Sequence, residues 1–167
     1  MQIRKTKTED LPELLRIYAA ARQFMAAHGN PTQWGSTTPP KEWLEEDIAE
    51  GRSYVCVDEA DTILCTFMFR VGWADPTYTV IENGAWLNDA PYGVVHRMAS
   101  ARRVPGAAEF SLRWCYEQCG RNLRVDTHAD NLPMQSLFRK LGMHECGIIY
   151  IEDGTPRLAF HKCGETD

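Results

Sequence analysis

The segment from Gly93 to His128 places the strongest constraint on how this chain folds. Residues 93–99 are a β-rich run, residues 106–119 form a helix with apolar or small residues on nearly every side, and residues 123–128 are again β-rich. A strand, a helix and a strand in this order make a right-handed crossover, and the two strands then lie parallel in one sheet. The loop after the first strand is therefore at the carboxyl end of a parallel strand, where open α/β sheets bind ligands.

That loop has the composition of an anion site. It is basic at Arg102 and Arg103, and small residues then occupy the start of the helix, namely Gly106, Ala107 and Ala108. Backbone N–H groups without intrahelical partners converge there, and the positive end of the helix dipole favours an anion. Small side chains allow a phosphate to approach the backbone. Many such junctions carry Arg and Gly only for solubility and turn geometry, so the loop alone does not decide between the two interpretations.

The rest of the chain alternates between helical and strand periodicity. Apolar residues at spacings of three and four predict helices at 11–28, 41–50 and 132–141. β-rich runs predict strands at 2–5, 53–58, 62–71, 143–151 and 157–162. Only three residues separate the second and third strands, so they are expected to form an antiparallel hairpin. In the second helix, Trp43, Leu44 and Ile48 are expected to face inward.

Aromatic residues also lie in two irregular segments. The segment 72–92 contains Trp73, Tyr78, Trp86 and Tyr92 among acidic residues. It either lines a pocket or covers the sheet. Trp34 lies in a loop rich in Gly and Pro, where its indole is either a lid over a site or packs its own loop down.

Length and composition fit one globular domain over residues 1–167. The chain has 44% hydrophobic and 25% charged residues, which is enough for a full core. Its net charge of −5, with 18 Lys and Arg residues scattered along the chain, argues against nucleic acid as a partner. No apolar run approaches the roughly 18 to 20 residues that span a bilayer, so no membrane partner is expected.

The cysteines indicate a reduced protein. The six cysteines include no CxxC pair and no Cys/His spacing typical of metal ligands, and no secretory segment is evident near Met1. A cytoplasmic location without a bound metal is therefore expected. Cys115 and Cys119 share one helix face, which permits a metal or redox pair, although small hydrophobic residues in a core are the simpler interpretation.

Two motifs resemble the GNAT superfamily of acetyl-CoA-dependent N-acetyltransferases. The first is Arg103-Val104-Pro105-Gly106-Ala107-Ala108, which matches the family's pyrophosphate loop pattern Arg/Gln-x-x-Gly-x-Gly/Ala at the expected place. The second is Asn131 followed by a short helix that ends Leu137-Phe138-Arg139-Lys140-Leu141-Gly142-Met143. The order of predicted elements, β–α–α–β–β–β–α–β–α–β–β, resembles this family over nearly the whole chain.

The resemblance implies an α+β fold of three layers. Its centre would be a mixed, mostly antiparallel sheet of about seven strands, with a parallel, splayed pair in the middle and helices on both faces. Acetyl-CoA is the implied co-substrate. Its thioester would lie in the gap of the splayed pair, beside His96 and Asp126 in this chain.

The residues implied to contact acetyl-CoA form three groups. Backbone groups that would bond the pantetheine arm as an added strand belong to Met98, Ala99 and Ser100. Backbone N–H groups that would hold the pyrophosphate belong to Val104, Gly106, Ala107 and Ala108. Side chains that would add charge or hydrogen bonds belong to Arg102, Arg103 and Asn131.

The chain departs from the family at positions that matter for catalysis. Phe138 stands where many members carry the Tyr that protonates the leaving CoA thiolate, and a phenyl ring cannot donate a proton. Pro105 lacks an N–H group, so the loop offers one donor fewer. Val94 and Val95 occupy the region where the family often places a Glu as base.

Candidate bases must therefore come from other residues. They are His96, whose ordinary pKa suits the task, and the pair Asp126 and His128, which alternate onto one strand face. Glu82 is a candidate for binding the acceptor amine or relaying its proton. Each candidate also has a purely structural interpretation. His96 would be a hydrogen-bonded histidine in the core or in a pocket wall, and Asp126 and His128 would form a structural hydrogen-bonded pair. Glu82 would be a solvated loop residue.

The leading hypothesis is an N-acetyltransferase that transfers an acetyl group to a primary amine of a small molecule or peptide by direct attack on the thioester. The acceptor would contact the loops that carry Trp34, Tyr78 and Trp86. The alternatives are a non-catalytic acyl-CoA-binding or sensing module, which Phe138 motivates, and a structural interaction domain that binds no nucleotide. Exposed sheet edges are compatible with a homodimer.

Overall fold

The computed structural model describes residues 1–164. Their strands are β1 (Gln2–Lys5), β2 (Ser53–Val57), β3 (Ile63–Val71), β4 (Gly93–Ser100), β5 (Asn122–Thr127), β6 (His144–Tyr150) and β7 (Pro156–Cys163). Their α-helices are α1 (Leu11–Ala27), α2 (Lys41–Ala49), α3 (Ala107–Gln118) and α4 (Leu132–Lys140). Short 3₁₀ turns span Thr8–Asp10 and Pro76–Tyr78. Each predicted helix and strand is present, with ends close to those that periodicity predicts.

The strands form one mixed, seven-stranded sheet in the order β1-β2-β3-β4-β5-β7-β6. β4 and β5 are parallel, with Gly93 opposite Leu123. The pairs β1–β2, β2–β3, β5–β7 and β6–β7 are antiparallel. The predicted hairpin and the predicted fold class, a mostly antiparallel sheet with a parallel pair in the middle, are confirmed. The crossover through α3 explains the parallel pair, because antiparallel neighbours need only a short turn.

The chain divides into two compact units. The first comprises Met1–Phe69 and His96–Trp114, and the second comprises Arg70–Val95 and the described residues from Cys115 to Gly164. The sequence does not predict this division.

In the first unit, helices pack on both faces of the β2–β3 hairpin. The core on one face contains residues of α1, α2 and the strands: Leu14, Ile17, Tyr18, Leu44, Val55, Val57, Ile63 and Ala99. On the other face, the rings of Tyr54 and Phe69 lie 5.4 Å and 5.7 Å from that of Trp114 in α3. This arrangement follows from strand alternation, which sends successive side chains to opposite faces.

The inward face of α2 differs from the predicted one. Leu44 is buried as expected, but the prediction for Trp43 is wrong, because this residue is 44% exposed. Asp47, three residues after Leu44, is buried instead. The physical reason is an ion pair: the Asp47 carboxylate binds two arginines, so a charged side chain takes an inward position that hydrophobicity assigns to an apolar one.

In the second unit, the aromatic segment 72–92 covers the sheet. Its core consists of Tyr78, Val94, Ile149 and Ala159, against which Trp73, Ile81, Trp86, Tyr92 and Ile151 pack. The backbone of Glu82 pairs with Ile148 of β6 through two hydrogen bonds of 2.9 Å. This segment therefore adds a short antiparallel bridge to the sheet.

Two glycines allow that close contact. A Cβ atom on Gly84 would lie 1.8 Å from the carbonyl oxygen of Cys146, and one on Gly147 would lie 2.5 Å from that of Glu82. Neither position has room for a side chain, because both contacts are with backbone atoms. The pairing of segment 72–92 with β6 thus depends on glycine at both positions.

Candidate functional site

The predicted anion loop is an exposed turn in the first unit. It joins the end of β4 at Ser100 to the start of α3 at Ala107. The N–H group of Phe110 donates to the carbonyl oxygen of Gly106 at 2.9 Å, which is the first bond of the helix ladder. The N–H groups of Ala107 and Ala108 precede it, so a helix provides them with no acceptor. They lie at the helix N-terminus, a position at which backbone N–H groups bind anions.

The backbone of the loop leaves room for a ligand to approach it closely at Gly106. Gly106 has φ of +85°, and a Cβ atom there would meet no other atom within 4 Å. Arg102 has φ of 58°, and its N–H group donates to the Ser100 hydroxyl at 3.1 Å. Val104 is exposed. The loop is therefore open on the side of Gly106.

Both loop arginines contact α1. The Arg103 guanidinium donates to the carboxylate of Glu13 and to the carbonyl oxygen of Ile63. This contact, together with Arg16, lowers the pKa of the Glu13 carboxyl. The Arg102 guanidinium lies 3.1 Å from the ring centroid of Phe24, and burial lowers its pKa. The sequence indicates Arg102 and Arg103 as basic residues of an anion loop, but it does not predict their contacts with α1.

Along β4, the residues predicted to contact acetyl-CoA differ in exposure. His96, Met98 and Ser100 are half-buried, and Ala99 is buried in the core of the first unit. His96 belongs to the same unit as the loop. Trp34 is half-buried, and its ring meets that of Tyr18 edge to face at 5.6 Å between centroids.

In the second unit, Asp126 accepts a hydrogen bond from the hydroxyl of Tyr78 at 2.6 Å. Tyr78 is only 2% exposed, and burial and Asp126 raise the pKa of its phenol well above the usual value. The indole N–H of Trp86 donates to the carbonyl oxygen of Tyr78 at 2.9 Å. The predicted residues Tyr78, Trp86 and Asp126 therefore form one connected cluster.

His128 lies one residue beyond the end of β5. Its Nδ1 atom accepts from the N–H group of Asp130 at 3.0 Å. Burial and the nearby Arg157 lower the pKa of the imidazole, against an opposing effect of Asp130. His128 is therefore neutral at pH 7, with Nδ1 as an acceptor.

Glu82 is exposed, and its carboxylate accepts from the hydroxyl of Tyr150 at 2.9 Å. Asn131 is the N-cap of α4, because its Oδ1 atom accepts from the N–H group of Met134 at 3.2 Å. Phe138 is buried, and its ring lies 5.1 Å from that of Phe160.

Sequence reasoning missed several buried polar groups of the second unit, of which Arg124 is one. Arg124 is buried between the rings of Trp86 and Tyr92, 4.4 Å and 4.1 Å from their centroids, and donates to the carbonyl oxygen of Asn88 at 2.5 Å. An arginine in the middle of the β-rich run 123–128 is the signal that indicates an inward charge. The aromatic rings replace a carboxylate as its partners.

Comparison with known proteins gives the family. Residues 1–144 match the family model of the acetyltransferase (GNAT) domain, so the chain belongs to the GNAT acetyltransferase family. The predicted family resemblance is thereby confirmed. No curated protein matches the sequence.

Solved structures show the same fold. A GNAT-family acetyltransferase from Streptococcus agalactiae has a TM-score of 0.88 and 28% identity over 99% of this chain and 96% of its own. A putative acetyltransferase from Staphylococcus aureus has a TM-score of 0.70 and 25% identity, covering 98% and 99%. A phosphinothricin acetyltransferase from Sinorhizobium meliloti, solved with AcCoA, has a TM-score of 0.63 and 13% identity, covering 98% and 89%. The last likeness extends to the fold alone.

Family and fold together support acyl transfer, with acetyl-CoA as the co-substrate that the GNAT family uses. Within residues 1–164, no group of three or more His, Cys, Asp and Glu side chains is arranged to hold a metal ion. No helix of the same part of the chain is long and apolar enough to cross a membrane.

Proposed function

We propose that this protein is an N-acetyltransferase that moves an acetyl group from acetyl-CoA to a primary amine of a small molecule or peptide. The observation that carries the proposal is the exposed basic loop before α3, with Gly106 open to close approach and the first-turn N–H groups at its end. A phosphate or diphosphate is a group that such a helix N-terminus can bind.

In this proposal, the loop holds the pyrophosphate through backbone N–H groups at Val104, Gly106, Ala107 and Ala108. Arg103 bonds a phosphate oxygen beside the Glu13 carboxylate, and Arg102 adds positive charge from its place over Phe24. The backbone of Met98, Ala99 and Ser100 bonds the pantetheine arm. The Asn131 side chain is assigned to hydrogen bonds with the pantetheine amides. Phe138 is assigned to a contact with acetyl-CoA.

The reaction is a direct attack. The amine nitrogen adds to the thioester carbonyl, the C–S bond breaks, and CoA leaves as a thiolate. The proton that the new amide nitrogen loses reaches this thiolate through water, because Phe138 cannot donate one. His96 is the proposed base that takes the ammonium proton, since an imidazole titrates near neutral pH. Asp126, joined to Tyr78, and the neutral His128 are the alternative bases.

The acceptor amine is assigned to the aromatic residues Trp34, Tyr78 and Trp86. Glu82 is exposed, and its carboxylate attracts a cationic acceptor at the surface. Its hydrogen bond from Tyr150 holds the carboxylate in one orientation.

A non-catalytic acyl-CoA-binding module is the second candidate function. The burial of Phe138 against Phe160 favours it, because this position then provides packing and no proton donor. Both candidates need the loop, and they differ only in turnover.

Calorimetric titration with acetyl-CoA tests the loop. Gly106→Asp is expected to abolish binding, since it adds a negative charge and a side chain at a left-handed position, and Arg103→Glu is expected to weaken it strongly. Arg121→Glu is the control, because Arg121 is an exposed arginine paired with Glu117 on another part of the chain. Wild-type protein that binds no acetyl-CoA contradicts the proposal.

Release of free thiol from acetyl-CoA with a panel of primary amines separates the two candidates. Turnover with at least one amine supports the enzyme, and binding without turnover across the panel supports the acyl-CoA-binding module.

We also propose a cellular location and an oligomeric state for this protein. A reduced, cytoplasmic location agrees with the six free cysteines. β1 and β6 end the strand order, and Glu82 bridges β6 at Ile148. The edge at β1 is therefore the one that favours a homodimer, which sedimentation equilibrium measures.

A further inference from the structure

Arg97 interrupts the extended backbone of β4. Its φ is 55°, in the left-handed region. This conformation is unfavourable for a residue with a side chain, because Cβ then crowds the backbone. Such a residue persists only where its surroundings hold it in place. Arg97 lies between His96, the proposed base, and Met98, one of the residues whose backbone is assigned to acetyl-CoA.

The backbone of Arg97 is held by α1. The hydroxyl of Tyr18 donates to the carbonyl oxygen of Arg97 at 2.5 Å, and Tyr18 is almost fully buried. A trans peptide bond is planar, so its carbonyl and N–H groups point in opposite directions. The carbonyl of Arg97 and the N–H group of Met98 belong to the same peptide. The contact with Tyr18 therefore directs the N–H group of Met98 away from that hydroxyl.

The side chain of Arg97 is held by α2. Its Nε and Nη2 atoms donate to the two carboxylate oxygens of Asp47, each at 2.9 Å. Asp47 is 2% exposed and also accepts from Nε of Arg52 at 2.7 Å. A two-point contact between a guanidinium and a carboxylate fixes orientation as well as distance. The two arginine partners offset the cost of burying the Asp47 carboxylate, and losing either one would leave that charge poorly compensated.

We propose that Tyr18 and Asp47 are positioning residues that hold Arg97 in its left-handed conformation and so orient the N–H group of Met98 toward the acetyl-CoA donor. The inference rests on the proposed function, in which that N–H group binds the donor. Tyr18 acts on the peptide itself, whereas Asp47 acts through the side chain. Neither residue touches the substrates.

Arg97→Gly and Arg97→Ala provide the matched test. Both variants remove the guanidinium, and both leave Asp47 with Arg52, so their loss of ion-pair stability is the same. Only glycine adopts a φ of 55° without a Cβ contact. Turnover of Arg97→Ala is expected to be about tenfold lower than that of Arg97→Gly, since small misplacements of reacting groups reduce rates strongly. Equal turnover of the two variants overturns the proposal.

Tyr18→Phe tests the same point without touching Arg97. It removes one hydroxyl and retains the ring that packs on Trp34. Its turnover is expected to fall about tenfold at saturating acetyl-CoA, for the same geometric reason. Turnover equal to that of the wild type overturns the proposal even where Arg97→Ala does not fold.

The amide resonance of Met98 gives a readout that does not depend on activity. It is expected to move in Tyr18→Phe, a variant that leaves the residues before and after Met98 unchanged. A Met98 resonance that stays in place in Tyr18→Phe overturns the inference. Failure of the proposed function is distinct, because it appears in the wild type as an absence of acetyl-CoA binding.

Discussion

The guanidinium of Arg103 is paired with the carboxylate of Glu13, so the arginine proposed to bind pyrophosphate already has a partner of the same charge as its ligand. A phosphate bound by Arg103 would share the guanidinium with this carboxylate, whose negative charge opposes an anion at the same place. Glu13 is therefore expected to weaken acetyl-CoA binding at Arg103. The contact connects α1 to the loop before α3, within the first unit.

Replacing Glu13 by Gln is expected to strengthen acetyl-CoA binding. The variant removes the competing charge but retains the shape of the side chain. Since exposed ion pairs contribute little free energy, the gain is about two- to fivefold in affinity. Titration calorimetry measures it, with Glu117→Gln as the control, because Glu117 forms an exposed pair with Arg121. Unchanged or weaker binding in Glu13→Gln contradicts this effect of Glu13.

His96→Ala is expected to lower kcat while acetyl-CoA affinity stays nearly constant, because a base acts after the donor has bound. General-base removal typically costs about a hundredfold or more in rate. His128→Ala is the matched comparison, since His128 is also a half-buried histidine. A large loss in His128→Ala with none in His96→Ala would assign the proton transfer to His128 instead.

Tyr78→Phe is expected to destabilise the second unit. It removes the hydroxyl that donates to Asp126 at 2.6 Å. A hydrogen bond to a charged acceptor contributes about 1.5–3 kcal/mol, so urea denaturation should show a loss of that size in the free energy of unfolding. Tyr150→Phe is the control, because its hydroxyl bonds Glu82 at the surface. If both variants lose the same free energy of unfolding, burial does not explain the contribution of the hydrogen bond from Tyr78 to Asp126.

Stability is expected to fall when the pH decreases from about 6.5 to 4. Burial lowers the pKa of His161 to about 4, and its two ring nitrogens already contact Leu87 and Asn122. Because the folded pKa is below that of the unfolded chain, the unfolded state binds more protons in this window. The loss is about 3 kcal/mol and is complete below pH 4. His128, whose pKa is also lowered, contributes in the same direction.

Chemical denaturation at a series of pH values measures this dependence. His161→Gln retains polar atoms without a titrating group and is expected to flatten the curve between pH 6.5 and 4. Carboxyl groups with lowered pKa values, such as those of Asp10 and Glu13, add to the loss below about pH 5, so the interval from pH 6.5 to about 5 reports the histidines. A curve with the wild-type slope in His161→Gln would exclude His161 as the source.

Phe138→Ala is expected to cost about 3–5 kcal/mol of stability, as for other buried aromatic residues. Its ring is 3% exposed and packs on Phe160. Phe110→Ala serves as the comparison, because Phe110 is 38% exposed on α3. A smaller loss in Phe138→Ala than in Phe110→Ala, measured by thermal unfolding, would contradict the packing role.

Local signals in the sequence predict the elements and the parallel pair. The hairpin of β2 and β3 follows from two β-rich runs with a short turn, and the crossover through α3 follows from the order of periodicities. Asn131 is predictable as an N-cap because its type and its position before an apolar helix suffice. These inferences use residues that are close in the chain.

Contacts between distant residues are not predictable in this way. Arg103 and Glu13 are 90 positions apart, and Tyr78 and Asp126 are 48 positions apart. The error at Trp43 has the same origin, because the partner that draws Asp47 inward is Arg97, 50 positions away. The roles of the site residues stay predictions, since hydrogen-bond partners alone do not identify a base or an acceptor.

The contact of Gly84 and Gly147 with opposing backbone has a consequence for natural variation. Since a single methyl group at either position would meet a carbonyl oxygen, both sites are closed to every other amino acid unless the segment 72–92 moves away from β6. That segment carries Tyr78 and Trp86. Relatives that keep both glycines are expected to share the path of this loop, and relatives that lack them are expected to have a different loop at the place proposed for the acceptor.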